Sequence, residues 1–436
     1  MARDLQGFGL ALLNRFASNR TVQKMKLDKA AEGIIFQASK TGFKAAGAAN
    51  RGFKKVSGSK AKRLDKPSAG SLFDLTPTDE QSMMRDSVQR YAEERLRPAA
   101  YEADNNCAAP AELLAEANEL GLALMAIPEE AGGAGYEQSA LTNVLVGEAL
   151  AHGDMGLAVA VLAPVAVANA LARWGTADQQ ATYLGAFAGE NVPPAAMAVL
   201  EPRVLFDPFK LQTHAKQTGD GFELNGMKSM VPLAGQAELF LVAAELEGSG
   251  PAVFIVSSDA AGLSVEAEPG MGLRAASMGR LLLNKVKLSA DARLGGDAGF
   301  DYAEMIALSR IAWCALAVGC SQAVLDYVIP YANERKAFGE PISHRQAVAF
   351  MISNIGIENE GMRLLTWRAA SRAEQGKKGF AQDAALARKL CADKGMQIGN
   401  DGVQILGGHG FVKEHPVERW YRDLRAVGVM EGVLLV

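Results

Sequence analysis

The hydrophobic periodicity of the chain changes twice, and this order restricts the possible folds more than any other feature. From Leu75 to about Pro193, apolar residues recur at helical spacing, as in LAPVAVANALARWG. Between residues 197 and 295 the apolar runs are short and rich in β-forming residues, and Gly, Asn, Asp and Pro separate them. After Phe300, three long helical patterns follow. The sequence therefore predicts a mainly α, α+β chain with a middle antiparallel β-domain between two helical domains.

Charge separates a first segment from the rest of the chain. Residues 1–70 hold 15 Lys and Arg against 4 Asp and Glu, a net charge of +11, whereas the whole chain carries −4. Residues 71–436 therefore carry −15. We predict a basic, amphipathic and flexible N-terminal extension followed by three domains. The predicted boundaries are 1–72, 73–196, 197–295 and 296–436.

The N-terminal extension has three interpretations. Its apolar residues fall on one helical face, which favours a membrane surface or a partner groove. A solubilising tail is equally compatible with the composition, and an organelle transit peptide is a third option because acids are few. We expect a cytoplasmic protein with possible peripheral membrane contact, or alternatively a mitochondrial matrix protein. Nucleic-acid binding is not expected, since only the basic extension would support it. The apolar face consists of Leu5, Phe8, Leu12 and Phe16.

The composition excludes several other classes of protein. Apolar residues make up 49% and charged residues 22% of the 436 residues, which is ordinary for a soluble enzyme. No uninterrupted apolar run reaches the roughly 18 residues of a membrane span. The four cysteines form no CxxC pair, so a disulfide framework is not expected. His409 and His415 lie six residues apart in a Gly-rich stretch, and we predict no metal site. No GxGxxG follows a predicted strand, so a Rossmann site is not supported.

The last stretch of the chain, VERWYRDLRAVGVMEGVLLV, holds one acid among apolar residues. Glu431 stands between Met430 and Val433, with further aliphatic residues on both sides. A carboxylate in apolar surroundings is costly to ionise, which is a disadvantage in a core and useful in a base that works near neutral pH. From these residues alone, a surface glutamate on a frayed terminus is the alternative.

Four strings in the last 360 residues resemble the acyl-CoA dehydrogenase family in order and spacing. They are LGLALMAIPEEAGGAGY, YANERKAFGEPISHRQ, DGVQILGGHGFVKEHPVERWYRD and MEG. The resemblance implies a helical domain, a β-barrel-like middle domain and a C-terminal four-helix bundle, with FAD between the last two and across a subunit interface. It also implies conversion of an acyl-CoA to the trans-2-enoyl-CoA, electron-transfer flavoprotein as acceptor, and a homodimer or homotetramer.

The same resemblance assigns roles in the reaction. It makes Glu431 the base that removes the α-proton, and Arg310 and Gly432 substrate-binding residues. Some family members carry the base on a long helix just before an arginine. Ser309 occupies that position here and cannot serve alone as a base, which favours Glu431.

The family resemblance also assigns residues to FAD. Arg335 can pair with the pyrophosphate through its planar fork. Glycines after a helix let backbone N–H groups approach a nucleotide closely, although a helix C-cap explains them equally well without the family context. The implied cofactor-binding residues are Arg335, Phe338, Gln346, Gln404, Gly407, Gly408 and Gly410.

The middle domain departs from the family pattern at the positions that normally contact FAD. Leu200 and Pro232 replace hydroxyl residues that contact the flavin, Phe206 replaces a pyrophosphate-contacting serine, and Met230 replaces an aromatic ring. One interpretation is a divergent dehydrogenase that holds FAD by backbone contacts and by its C-terminal domain. Another is a non-catalytic or weakly flavin-binding subunit of a mixed oligomer. An acyl-CoA oxidase shares every motif named above and stays a third.

Overall fold

The computed structural model describes residues 75–134, 139–189 and 191–431. The predicted extension at residues 1–72 and the predicted substrate-binding residue Gly432 lie outside the described residues, so both stay predictions.

The first described region is helical, as its periodicity predicts. Thr78 caps the first helix, because its hydroxyl accepts the Gln81 N–H (3.2 Å) and its own N–H donates to the Gln81 side chain (3.0 Å). The helices are α1 (Asp79–Tyr91, continuing as a π-helical turn over Ala92–Leu96), α2 (Arg97–Asn106), α3 (Ala111–Asn118), α4 (Ala140–Gly153), α5 (Met155–Trp174) and α6 (Ala177–Phe187).

A seven-stranded sheet follows, in the order β1-β4-β2-β3-β7-β6, with β5 on β4. Four of its pairings are antiparallel (β2–β3, β3–β7, β4–β5 and β6–β7), as the short runs predict. The pairings β1–β4 and β2–β4 are parallel, and such crossovers leave no local sequence pattern. The strands are β1 (Ala195–Ala198), β2 (His214–Thr218), β3 (Gly221–Val231), β4 (Leu239–Leu246), β5 (Gly250–Ser257), β6 (Leu263–Ala267) and β7 (Gly279–Ser289).

Long helices return after the sheet. Asp301 caps the first of them by accepting the Glu304 N–H (2.9 Å). A two-stranded hairpin, β8 (Lys336–Ala337) with β9 (Glu340–Pro341), joins the first two helices. The helices are α7 (Tyr302–Glu334), α8 (Gln346–Glu374), α9 (Phe380–Leu406) and α10 (Val417–Leu424).

One apolar core runs through both helical regions and onto one face of the sheet. Met197, Leu241 and Val253 of the sheet belong to this core together with Trp313 of α7, whereas the other face of the sheet has its own core around Phe254. The middle domain is thereby packed against the helices that carry the predicted site.

Two described helices, α5 and α7, are long and apolar enough to cross a membrane by length and composition alone. In the folded chain 94% and 83% of their most apolar stretches are buried inside the protein. Burial of this kind is typical of core helices.

Candidate active site

Glu431 is buried at the end of the described chain. A short 3₁₀ turn, Arg425–Gly428, follows α10, and Glu431 comes three residues later with 4% of its surface exposed. Arg310 of α7 approaches it with two nitrogens, Nε at 3.1 Å and Nη2 at 2.9 Å from Oε1. Both N–H groups donate to the same carboxylate oxygen. Oε1 is therefore fully engaged by a charge-assisted contact.

The second carboxylate oxygen has a different environment. Arg388 of α9 places Nη1 3.0 Å from Glu431 Oε2 and donates its hydrogen bond to the Met430 carbonyl oxygen at 2.9 Å. Oε2 is buried and accepts no directed hydrogen bond from any described residue. It is therefore stabilised by charge while a lone pair stays available for a proton.

The expectation of wholly apolar surroundings for Glu431 is wrong. Arg310 and Arg388 lie 121 and 43 residues away in sequence, and the packing of α7 and α9 brings them to the carboxylate. Two guanidinium groups stabilise the anionic carboxylate, which is the form that a general base needs. Sequence reasoning missed Arg388, although one signal was present. Residue 388 is one helical turn from Ala384 on a face that also buries Ala387.

α10 holds the segment that leads to Glu431 against the N-terminal helices. Arg422 donates from Nη1 and Nη2 to the two carboxylate oxygens of Asp104 (2.8 and 2.9 Å). Arg419 donates from Nε to Asp154 Oδ2 (2.9 Å), and both of these side chains are buried. These contacts fix α10 relative to α2 and to the start of α5.

α10 also touches the middle domain. The buried carboxylate of Asp423 accepts the Leu273 N–H at 2.6 Å. A Cβ on Gly272 would lie 2.3 Å from the Arg422 carbonyl oxygen, so the loop can approach α10 only with glycine at that position. Burial raises the pKa of Asp423 to about 7, and the nearby charge of Asp154 contributes to the rise.

In the middle domain, side chains of the predicted FAD-contacting loop around residues 200–210 pack against each other and against the rest of the protein. Leu200 is buried, and the Arg203 guanidinium lies 5.3 Å above the ring of Phe206. The Tyr302 hydroxyl donates to the Pro208 carbonyl oxygen (3.0 Å), which ties the loop to the start of α7. The two positions where the family has hydroxyl groups thus carry apolar side chains packed within the protein.

The second predicted contact segment, at the end of β3, directs its donors into the protein. The Ser229 hydroxyl (2.9 Å) and the Met230 N–H (2.8 Å) both donate to Glu268 Oε2, and Arg280 donates to the other oxygen of Glu268. Pro232 is buried, and as a proline it has no backbone N–H to offer FAD.

The predicted cofactor residues of the C-terminal region are on the surface. Arg335 is exposed, and no described acidic side chain lies within ion-pairing distance of it. Phe338 is 96% exposed, and Gln346 and Gln404 are exposed as well. The Tyr331 hydroxyl, one turn before Arg335, donates to the Leu406 carbonyl oxygen (3.4 Å). This contact brings the end of α7 to the end of α9, where the glycines follow.

The three predicted glycines differ in their surroundings. A Cβ on Gly407 or Gly408 would meet no atom within 4 Å, so both present open backbone. A Cβ on Gly410 would lie 2.3 Å from the Val403 carbonyl oxygen, so internal packing accounts for this glycine. Gly407 and Gly408, together with the exposed cation of Arg335, fit an anionic nucleotide. The middle-domain positions described above fit an anionic nucleotide less well, because their side chains are apolar or their donors are already bonded to Glu268.

Three family models match the chain in succession and together span most of it. They describe the N-terminal, middle and C-terminal domains of acyl-CoA dehydrogenase and match residues 78–191, 196–286 and 297–434.

Individual proteins agree with the family models. The short-chain specific acyl-CoA dehydrogenase of Bos taurus mitochondria is 32% identical over 358 residues, covering 80% of this chain and 86% of that protein. The structure of butyryl-CoA dehydrogenase from Megasphaera elsdenii has a TM-score of 0.75 at 30% identity, covering 83% of this chain and 96% of that one. The FAD complex of PigA has a TM-score of 0.75 at 26% identity, with the same coverage of both chains.

Proposed function

Because the chain belongs to the acyl-CoA dehydrogenase family, we propose that it catalyses the FAD-dependent dehydrogenation of a fatty acyl-CoA to the trans-2-enoyl-CoA, with Glu431 as the base. The enzyme is an oxidoreductase with FAD as its cofactor. The observation that carries the proposal for Glu431 is its buried Oε2, which has charge stabilisation but no directed hydrogen bond. Electron-transfer flavoprotein is the proposed electron acceptor, and a homodimer or homotetramer is the proposed assembly.

The C-terminal domain supplies the residues best suited to hold FAD. Arg335 would offset the pyrophosphate charge, and the open backbone at Gly407 and Gly408 would lie against the nucleotide. Phe338, Gln346 and Gln404 are exposed at the same end of the helices. When bound, FAD supplies the acceptor for the hydride from the β-carbon.

Residues of this chain carry out the proton abstraction. Glu431 Oε2 takes the α-proton, while the two donors of Arg310 keep Oε1 in place. Gly432 and the Glu431 N–H are proposed to hold the thioester carbonyl. Burial of Glu431 limits the access of water to its carboxylate, which strengthens its interaction with the arginines.

The arginines also account for the charge that moves during this step. Glu431 becomes neutral as it takes the proton, and the negative charge passes to the thioester oxygen of the forming enolate. Arg310 and Arg388 contact the carboxylate of Glu431 before the transfer, and their positive charges remain beside it afterwards.

Glu431→Gln tests the proposal because it keeps the shape of the side chain and removes its basicity. We expect FAD reduction by a saturated acyl-CoA to slow by about 100-fold or more, with FAD content and acyl-CoA binding retained. Glu148→Gln is the matched control, since Glu148 is a largely buried glutamate that also contacts an arginine, with Arg363 at 3.2 Å and Trp367 at 2.6 Å. A Glu431→Gln variant that keeps more than about a tenth of the wild-type rate would place the base elsewhere.

The middle domain favours a second candidate, a weakly flavin-binding subunit of a mixed oligomer. The observation that favours this candidate is that Ser229 and Met230 donate their hydrogen bonds to Glu268, with Pro232 nearby. Such a subunit would purify without FAD and would not gain it when FAD is added in excess. An acyl-CoA oxidase would instead pass its electrons to oxygen. It would form hydrogen peroxide from acyl-CoA and oxygen faster than it reduces an electron-transfer flavoprotein.

A further inference from the structure

We propose that Arg388 is a positioning residue for Glu431, which fixes the orientation of the carboxylate and places a positive charge beside it. This inference rests on the proposed function of Glu431 as the base. It goes beyond that function because it gives a role to a residue on α9 that does not need to touch the substrate.

The geometry of Arg388 joins two consecutive residues. A single nitrogen, Nη1, lies 2.9 Å from the Met430 carbonyl oxygen and 3.0 Å from Glu431 Oε2. The first contact fixes the backbone just before the base, and the second fixes its side chain. A guanidinium held at both points leaves the carboxylate little freedom to rotate.

Arg388 and Arg310 act on different oxygens. Arg310 directs two N–H groups at Oε1, so that oxygen is occupied. Arg388 directs its N–H at Met430 instead, which leaves Oε2 close to a positive charge but able to accept a proton. The two arginines therefore set which of the two carboxylate oxygens receives the proton.

The burial of Arg388 supports a specific role. Its side chain is 14% exposed, on a helix whose neighbouring turns bury Ala384, Ala387 and Cys391. Desolvation lowers the pKa of Arg388, and the charge of Glu431 opposes this. A buried cation is costly unless it is paired, and the contacts described for Arg388 are those with Glu431 and its preceding carbonyl.

Among the residues that the structure describes, the charged and titratable groups named around Glu431 lie on two helices. Arg310 and Tyr302 lie on α7, and Arg388 lies on α9. Replacing Arg388 by a neutral residue removes one of two cations next to the carboxylate. The proton should then bind Glu431 more tightly, and proton abstraction should need a higher pH.

The test compares Arg388→Met, Arg388→Lys and a control, Arg363→Met, in the intact chain loaded with FAD. Arg363 is an arginine of similar burial, 18% exposed, that pairs with Glu148 and Glu360 on another part of the bundle. For Arg388→Met we expect FAD reduction at pH 7 to fall about tenfold, and the pH midpoint of that rate to rise by about one unit. Arg388→Lys should restore the midpoint and recover only part of the rate. An unchanged midpoint in Arg388→Met, or an equal shift in Arg363→Met, would overturn the proposal.

A second measurement needs no turnover and separates this inference from the proposed function. The carboxylic acid band of Glu431 can be followed with pH by infrared difference spectroscopy, with Glu431→Gln as the subtraction. We expect the protonated fraction to appear at higher pH in Arg388→Met than in the wild type, with Arg388→Lys close to the wild type. If FAD reduction is absent in the wild type but the infrared shift is present, the proposed function fails and the positioning contact stands. If Arg388→Met does not fold, an Arg388→Lys variant with the same rate and the same band as the wild type contradicts positioning by the planar guanidinium.

Discussion

The C-terminal region and the middle domain of this protein have diverged to different degrees around the same predicted cofactor. The C-terminal region keeps the acid, its two arginines, the exposed Arg335 and two open glycines. The middle domain keeps the sheet but replaces the polar contacts at Leu200 and Pro232 by apolar groups. The C-terminal region therefore holds both the proposed base and the residues best suited to bind FAD, whereas the middle domain carries apolar residues at the two positions named.

The largest expected effect is on stability, and it comes from the contact between α10 and the middle domain. Asp423 accepts the Leu273 N–H, and burial raises its pKa to about 7 from an ordinary value of 3.8. Between these values the folded state holds a proton that the unfolded state has lost. The free energy of unfolding therefore falls as pH rises through this window, by at most about 1.4 kcal/mol per pH unit, and is level above pH 7.

Asp423→Asn should abolish this fall in the free energy of unfolding with rising pH, because an amide still accepts the Leu273 N–H but does not ionise. Urea unfolding between pH 5 and pH 8 measures it, and the variant should gain stability relative to the wild type as pH rises. Asp220→Asn, at an exposed aspartate in the turn before β3, is the control. A constant stability difference across the pH range would show that Asp423 is ionised throughout.

The next effect tests whether the C-terminal region carries the cofactor. Arg335→Ala should weaken FAD retention, because its exposed cation has no described acidic partner and is free to offset the pyrophosphate. A charge-assisted hydrogen bond contributes roughly 1.5–3 kcal/mol, or about 10- to 150-fold in affinity. FAD content after gel filtration measures the loss, with Arg90→Ala as an exposed arginine control on α1. Equal FAD content in both variants would exclude this role.

A smaller effect should appear when the middle domain is returned toward the family pattern. Pro232→Thr restores a backbone N–H and a hydroxyl at a position where the resemblance places a flavin contact. One neutral hydrogen bond contributes about 0.5–1.5 kcal/mol, so FAD affinity should rise about 2- to 12-fold. Pro202→Thr, at an exposed proline, is the matched control. No gain in fluorescence-monitored FAD binding would mean that this face does not meet the cofactor.

Sequence reasoning was most successful where the signal is local. The switch from helical to short β-rich runs follows from patterns within a few residues. Arg388 and Glu268 were missed because their roles depend on contacts between residues 43 and 38 positions apart, across helix packing and strand pairing. The parallel pairing of β1 with β4 escaped prediction for the same reason.

The smallest expected effect on either region comes from removing the N-terminal extension. A chain starting at Ser71 should keep its FAD reduction rate and lose salt-sensitive binding to anionic vesicles, since each basic residue near such a surface contributes about 1 kcal/mol. Vesicle sedimentation at low and high salt compares it with the full chain. Equal binding by both chains would remove the membrane role, and failure of the shorter chain to fold would assign the extension to the enzyme body.

We expect this chain, despite its altered middle domain, to bind FAD and to oxidise acyl-CoA thioesters. The visible absorbance of the purified full chain during anaerobic addition of saturated acyl-CoAs measures both properties at once. The protein should be yellow, and its flavin band should bleach with at least one chain length. A protein that stays colourless with excess FAD, or a yellow protein that no saturated acyl-CoA bleaches, would show that this expectation is wrong.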